Sequence, residues 1–144
     1  TKPNQQQSTA SKNTVTRNLN SAVAQFLEIY TGQFGLSTDK EHKETDFTEF
    51  LFDLPYTNSI LKENKVHRAR VMRMKPKTCY TYHQDWTKRL HIPLITNDSC
   101  FLIVDKEVMN LPADGSIYII DTTKFHTAVN ASLEERIHIV GCLQ

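Results

Sequence analysis

The sequence predicts a mainly β domain with helices on its N-terminal side, and three observations carry that reading. Seven short runs rich in β-branched and aromatic residues follow one another between Val66 and Cys142, separated by turn residues, as in an antiparallel sandwich or barrel. Two of these runs alternate polar and apolar side chains with a period of two, the signature of strands whose faces differ. Helical periodicity is confined to the part before Lys65. At 144 residues the chain has the length of one domain with room for a real core.

Taken in order, Thr1 to Thr16 is rich in Gln, Asn, Ser, Thr and Lys and buries too little apolar surface to offset its ordering entropy, so residues 1–16 are expected to be a loose polar arm. Residues 17–144 are expected to form a single domain, with helical support over 17–64 and a barrel core over 65–144. From Arg17 to Tyr30 the residues Leu19, Ala22, Val23, Phe26, Leu27 and Tyr30 recur at steps of three and four, which predicts an amphipathic helix. A charged connector, Asp39 to Asp46, precedes Phe47, Phe50, Leu51 and Leu54; Pro55 closes that segment, and Thr57 to Asn64 reads as a second, short helix.

The expected strands are Val66 to Met74, Cys79 to His83, Arg89 to Ile95, Cys100 to Val104, Ser116 to Asp121, His126 to Asn130 and Arg136 to Cys142. Lys75-Pro76-Lys77, Thr96-Asn97-Asp98, Pro112-Ala113-Asp114-Gly115 and Ser132-Leu133-Glu134-Glu135 supply the turns. Alternation places Arg89 and His91 on one face of their strand, opposite Leu90, Ile92 and Leu94. It likewise places Arg136 and His138 opposite Ile137 and Ile139.

Composition narrows the function. With 17 Lys+Arg against 16 Asp+Glu and a net charge of +1, nothing global points to nucleic acid. No apolar run approaches the roughly 18–20 residues of a membrane span, and the polar start lacks a signal-peptide core, so a cytoplasmic protein with no membrane partner is expected. Cys79, Cys100 and Cys142 are odd in number and lack a CxxC spacing, which makes free thiols the expectation.

His83 and Asp85 stand two residues apart, so on an extended segment both project to one side and could chelate one metal. His126 follows 41 residues after Asp85, and Arg136 ten residues after that. Two imidazoles and a carboxylate facing one point would make a 2-His-1-carboxylate site for non-haem Fe(II), with coordination positions left open. HxD alone is a common pattern, and the weight rests on the combination.

That combination is Tyr82-His83-Gln84-Asp85, Arg89-Leu90-His91-Ile92-Pro93-Leu94, Gly115, Asp121, His126, Asn130 and Arg136-Ile137-His138. Over residues 66 to 141 it resembles the aspartyl/asparaginyl β-hydroxylase-like branch of the Fe(II)/2-oxoglutarate-dependent dioxygenases. The resemblance implies a double-stranded β-helix, a cupin-like jelly roll, and makes His83, Asp85 and His126 the iron ligands. It makes Arg136 the anchor of the 2-oxoglutarate C5 carboxylate, a task suited to a planar, always-charged guanidinium. Arg89 and His91 match an Arg-x-His pair that also contacts the cosubstrate in some members. The implied reaction consumes molecular oxygen and 2-oxoglutarate and hydroxylates a small molecule, such as a free amino acid, or an amino-acid side chain in a peptide.

A non-oxidative cupin-like metal-binding or regulatory module is the alternative. Simple cupins typically carry HxH and a following Glu, whereas the second position here is Asp85 and an anchoring arginine is present. A zinc hydrolase with the same ligands would need a general base, and no additional Glu or His stands nearby in sequence. Tyr80, Tyr82 and Trp86 are expected to line the substrate mouth. Asn130 is expected in a turn or supporting role. The stretch Lys62 to Lys77 holds seven Lys/Arg and one Glu and could steer an anion toward the barrel.

Overall fold

The computed structural model describes residues 43–143 and the backbone of residues 11–14. Two antiparallel sheets dominate, with little helix. The strands are β1 (Ser11–Thr14), β2 (His67–Met74), β3 (Thr78–Cys79), β4 (Arg89–Ile95), β5 (Cys100–Val104), β6 (Glu107–Met109), β7 (Ser116–Ile120), β8 (His126–Asn130) and β9 (Arg136–Cys142). One sheet has the order β1-β7-β4-β9-β2 and the other β3-β8-β5-β6. A short 3-10 turn, Glu44–Asp46, and the helix α1, Pro55–Glu63, precede β2. The predicted helix from Arg17 to Tyr30 lies outside the described residues.

The first sheet is buried on both faces, which explains why every residue of β9 and all but the last of β4 are buried. On its outer face Leu90, Ile92, Ile137 and Ile139 pack under Leu54, Ile60 and Leu61 at the start and face of α1. On its inner face Met74, Tyr118 and Ile120 meet Leu102, Val104 and Ala128 of the second sheet. Each such side chain contributes about 1.5–3 kcal/mol by leaving water. The predicted alternation is realised: Leu90, Ile92, Leu94, Ile137 and Ile139 pack on the α1 side, and Arg89, His91, Arg136 and His138 face the second sheet.

Gly141 makes the outer packing possible, because a Cβ there would collide with the Val66 side chain. The Pro112-to-Gly115 turn is also observed, with Gly115 at φ 88°, a conformation costly for any other residue.

Several boundaries move. Pro55 does not close a segment but opens α1 at its first position, where its missing N–H is no loss. The expected strand Cys79 to His83 shrinks to β3; beyond it the chain follows β8 by isolated contacts, including Tyr80 N to Ala128 O at 3.0 Å. Within the expected loose arm, Ser11–Thr14 pairs with β7 as an edge strand, a main-chain interaction indifferent to polar side chains. The short strand β6 went unforeseen; it pairs with β5 at the other sheet's edge with mostly exposed side chains.

Asn130 ties one end of the two sheets together. Its fully buried amide donates to Met74 O (3.2 Å), Lys75 O (3.1 Å) and Glu134 O (2.8 Å). Its Oδ1 accepts from Ser132 N and Oγ and from Cys100 Sγ. Asn130→Ala should therefore orphan several buried groups and destabilise the fold by about 2–4 kcal/mol, measured by urea unfolding.

Candidate metal centre

His83, Asp85 and His126 converge. One ligand atom from each lies within 4.8 Å of the others, with His83 Nε2 at 3.9 Å from Asp85 Oδ1 and His126 Nε2 at 3.7 Å from Asp85 Oδ2. His126 starts β8; His83 reaches it from a loop through an isolated bridge, His83 N to His126 O at 3.0 Å and His126 N to His83 O at 2.8 Å. Asp85 is set by its own N–H, which donates to Thr122 O at 2.8 Å, while Thr122 Oγ1 donates to Thr87 O at 2.7 Å. The ligand loop is thus clamped at three points, two on the turn before β8 and one on β8 itself.

Both imidazoles are also fixed in tautomer. His83 Nδ1 lies 2.6 Å from Thr81 O and His126 Nδ1 lies 3.0 Å from Lys124 O. A carbonyl only accepts, so each Nδ1 carries the proton and each Nε2 lone pair is left for the shared point. Two neutral imidazole nitrogens and one carboxylate fit a borderline divalent ion such as Fe(II) or Zn(II).

The triad opens into a cavity of ≈ 540 Å³ between the sheets. Arg136 lies on its wall, 4% exposed, with Nε 3.1 Å from His138 Nε2, Nη2 2.8 Å from His138 Nδ1 and Nη1 3.6 Å from Met74 Sδ. Among the described residues Arg136 forms no salt bridge with its sequence neighbours Glu134 and Glu135, and Glu135 pairs with Arg73 instead. Among the described residues no carboxylate compensates the Arg136 charge, and burial pulls its pKa down. His91 lies on the same wall at Nδ1 3.4 Å from His138 Nδ1. Burial, then the Arg136 charge, push His91 down to about 3 and His138 well below the usual histidine range, so both rings are neutral.

Arg89, which also lines the cavity, is held by three protein side chains. Its Nε donates to Asp85 Oδ2 at 2.9 Å, Nη1 to Glu44 Oε2 at 3.0 Å and Thr87 Oγ1 at 2.8 Å, and Nη2 to Glu44 Oε1 at 3.0 Å. All three nitrogens are committed to the protein, so Arg89 orients the Asp85 carboxylate. Glu44 also accepts from Arg68 Nη1 and Thr87 Oγ1. Although burial opposes ionisation, the Arg89 hydrogen bonds and charge, with Thr87, lower Glu44 to about 2. Glu44→Gln should weaken divalent-metal binding by about tenfold without unfolding the chain, as measured by competition with a chromophoric chelator.

The predicted substrate-mouth aromatics separate. Tyr80 lines the cavity. Tyr82 stacks on Phe125, ring centroids 5.4 Å apart, and Trp86 is 94% exposed, so neither lies on the wall. Cys100 and Cys142 are buried free thiols, and Cys79 is exposed on the cavity rim. Sequence reasoning missed Glu44, Thr87, Thr122 and Arg70; the last belongs to the basic stretch but carries no signal separating it from its neighbours. No helix among the described residues is long and apolar enough to cross a membrane.

A search of curated proteins returned no match. The family comparison matched aspartyl/asparaginyl beta-hydroxylase over residues 6–142. That span begins well before residues 66–141, to which the motifs are confined, and it takes in Glu44 and α1. The chain belongs to the aspartyl/asparaginyl β-hydroxylase family.

Proposed function

We propose that this protein is an Fe(II)- and 2-oxoglutarate-dependent dioxygenase that hydroxylates a small molecule or an amino-acid side chain, on a double-stranded β-helix formed by the two sheets. One observation carries the reading: a buried guanidinium without a carboxylate partner among the described residues lies on the wall of the cavity that also holds two imidazoles and a carboxylate. A buried cation is costly when left unpaired, so the site is built to receive an anion beside a metal. Hydroxylase family membership supports the same class of chemistry.

His83, Asp85 and His126 would hold Fe(II), which when bound activates molecular oxygen at the expense of 2-oxoglutarate decarboxylation and delivers the hydroxyl group. The chain's own residues prepare that chemistry. The carbonyls of Thr81 and Lys124 hold both rings by Nδ1 and turn both Nε2 atoms to the shared point, and Arg89, braced by Glu44, aims the Asp85 carboxylate. Arg136 would pair with the distal carboxylate of 2-oxoglutarate, with neutral His91 and His138 beside it adding no competing charge. The sheets wall the cavity with Met72, Leu102, Ala128 and Val140, which limits water around the reacting bond.

Anaerobic titration of the Fe(II)-loaded protein with 2-oxoglutarate tests this directly. A visible metal-to-ligand charge-transfer band should grow in as the cosubstrate chelates. A folded, iron-loaded protein without that band would instead be a non-oxidative cupin-like module.

A further inference from the structure

The connector before α1 reaches the metal centre through Glu44 yet has no share in the core. No residue from 43 to 53 is buried, and the apolar cluster under α1 begins only at Leu54. A segment with so little buried surface opens locally unless polar contacts fasten it.

Those contacts gather on Glu44 and Arg68. Glu44 Oε1 accepts from Arg68 Nη1 at 3.1 Å and from Arg89 Nη2 at 3.0 Å, and Oε2 accepts from Arg89 Nη1 at 3.0 Å and Thr87 Oγ1 at 3.1 Å. Phe47 O accepts the main-chain N–H of Arg68 at 2.8 Å. Arg68 thus fastens the connector twice, by its guanidinium and by its backbone.

β2 is distorted where this happens. Its register on β9 runs His67↔Cys142 and then Arg70↔Val140, a step of three residues against two. The extra residue is a β-bulge, and Arg68 within it takes φ 48°, a left-handed conformation unfavourable for a residue with a Cβ. β2 stands at the edge of its sheet, and the bulged residue gives its N–H to Phe47 and its side chain to Glu44. A strained residue that fastens a segment to the support of the metal centre points to a use for the fastening.

On its other side Arg89 meets a metal ligand. Its Nε donates to Asp85 Oδ2 at 2.9 Å, the oxygen that lies 3.7 Å from His126 Nε2. One guanidinium therefore joins the connector's carboxylate to the ligand carboxylate. With Glu44 seated, the plane of Arg89 is fixed and Asp85 is aimed; with Glu44 withdrawn, Arg89 loses its bidentate partner. A metal ion binds best where Asp85 is already aimed, and two events joined in this way favour each other by the same factor.

We infer that residues 43–53 form a strap that latches on the barrel through Glu44 and Arg68, and that latching and divalent-metal binding promote one another. Filling the triad closes the strap, and the closed strap retains the metal. Glu44 and Arg68 are positioning residues in this scheme, acting on Asp85 through Arg89. The inference rests on the reading of His83, Asp85 and His126 as a metal centre.

The test is hydrogen exchange of the Arg68 amide, followed by NMR as Zn(II), a diamagnetic and redox-inert occupant, is titrated into the protein. Exchange should slow and level off at about tenfold, the reciprocal of the loss of metal affinity expected for Glu44→Gln. Amides that exchange by global unfolding should instead keep slowing in proportion to free zinc, and those of the distant edge strand β6 should change less than about twofold. In Glu44→Gln the plateau should vanish. Arg68→Gly removes the guanidinium while relieving the strain at φ 48°, so its urea midpoint should not fall. Its zinc affinity should still drop at least about threefold, read by competition with a chromophoric chelator. Unchanged Arg68 exchange in the zinc-saturated protein, slowing without a plateau, a plateau that persists in Glu44→Gln, or full zinc affinity in Arg68→Gly would each overturn the inference. A protein that binds no zinc, or binds it equally well in His126→Ala, would instead overturn the metal-centre reading on which it rests.

Discussion

Arg136→Met is expected to leave a fold that is more stable than the parent yet unable to hold 2-oxoglutarate. Arg136 is 4% exposed and lies among His138, His91 and Met74, none of which offers a negative charge. Replacing an uncompensated buried cation with an apolar side chain of similar length removes its desolvation penalty and keeps the contacts of its stem, which should stabilise the ligand-free protein by about 1–3 kcal/mol. Methionine is the better choice than alanine, because alanine would open a cavity whose cost obscures the gain. The same substitution removes a charge-assisted bidentate partner, and cosubstrate affinity should fall by on the order of 2–5 kcal/mol. Urea unfolding and the anaerobic 2-oxoglutarate titration read the two effects separately. Their opposite signs are the diagnostic: a purely structural arginine would lose stability on substitution, and unchanged cosubstrate affinity would remove Arg136 from the site.

The strands that position this residue were readable because their side chains are sorted by face. In β4 and β9 the alternation of Leu90, Ile92, Ile137 and Ile139 with Arg89, His91, Arg136 and His138 announces both the strand and the side that meets the cavity. β1 and β6 lack such sorting; they join sheet edges through main-chain hydrogen bonds, which side-chain pattern does not encode. The triad was legible for a local reason, the two-residue spacing of His83 and Asp85, joined to the distant His126 by a family pattern. The groups that aim the triad were not. Glu44 reaches Arg89 across 45 positions of sequence and sits in a connector that reads as ordinary solvated charge. Arg70 is one of seven basic residues in its stretch, and only the bulge between His67 and Arg70 determines that its side chain turns inward. Register shifts of one residue reverse a side chain's face, and nothing in the composition of β2 marks where the shift falls.

The two buried histidines that flank Arg136 make the fold sensitive to mild acid. His91 is held down to about 3 and His138 well below its usual range, in both cases by burial first and by the Arg136 charge second. An unfolded chain binds protons at these rings as pH falls through about 6.5, whereas the folded chain does not. The unfolded state therefore carries more bound protons throughout the window from about 6.5 down to about 3, so stability declines as pH falls through it. Each ring contributes about 1.4 kcal/mol per pH unit, and the pair about 3 kcal/mol per unit. Against a domain stability of roughly 5–15 kcal/mol, that slope removes about 6 kcal/mol by about pH 4.5, enough to unfold a protein at the lower end of that range. Glu44, lowered to about 2, adds its own loss only as pH falls from about 4.5. Urea midpoints measured from pH 7.5 to pH 4 should show the decline beginning near 6.5. In Arg136→Met it should be shallower at the acid end, because removing the cation lets both imidazoles titrate nearer their ordinary range. A flat profile between pH 7 and pH 5 would show that His91 and His138 accept protons in the folded state, and with it that the cavity wall is better hydrated than its packing indicates.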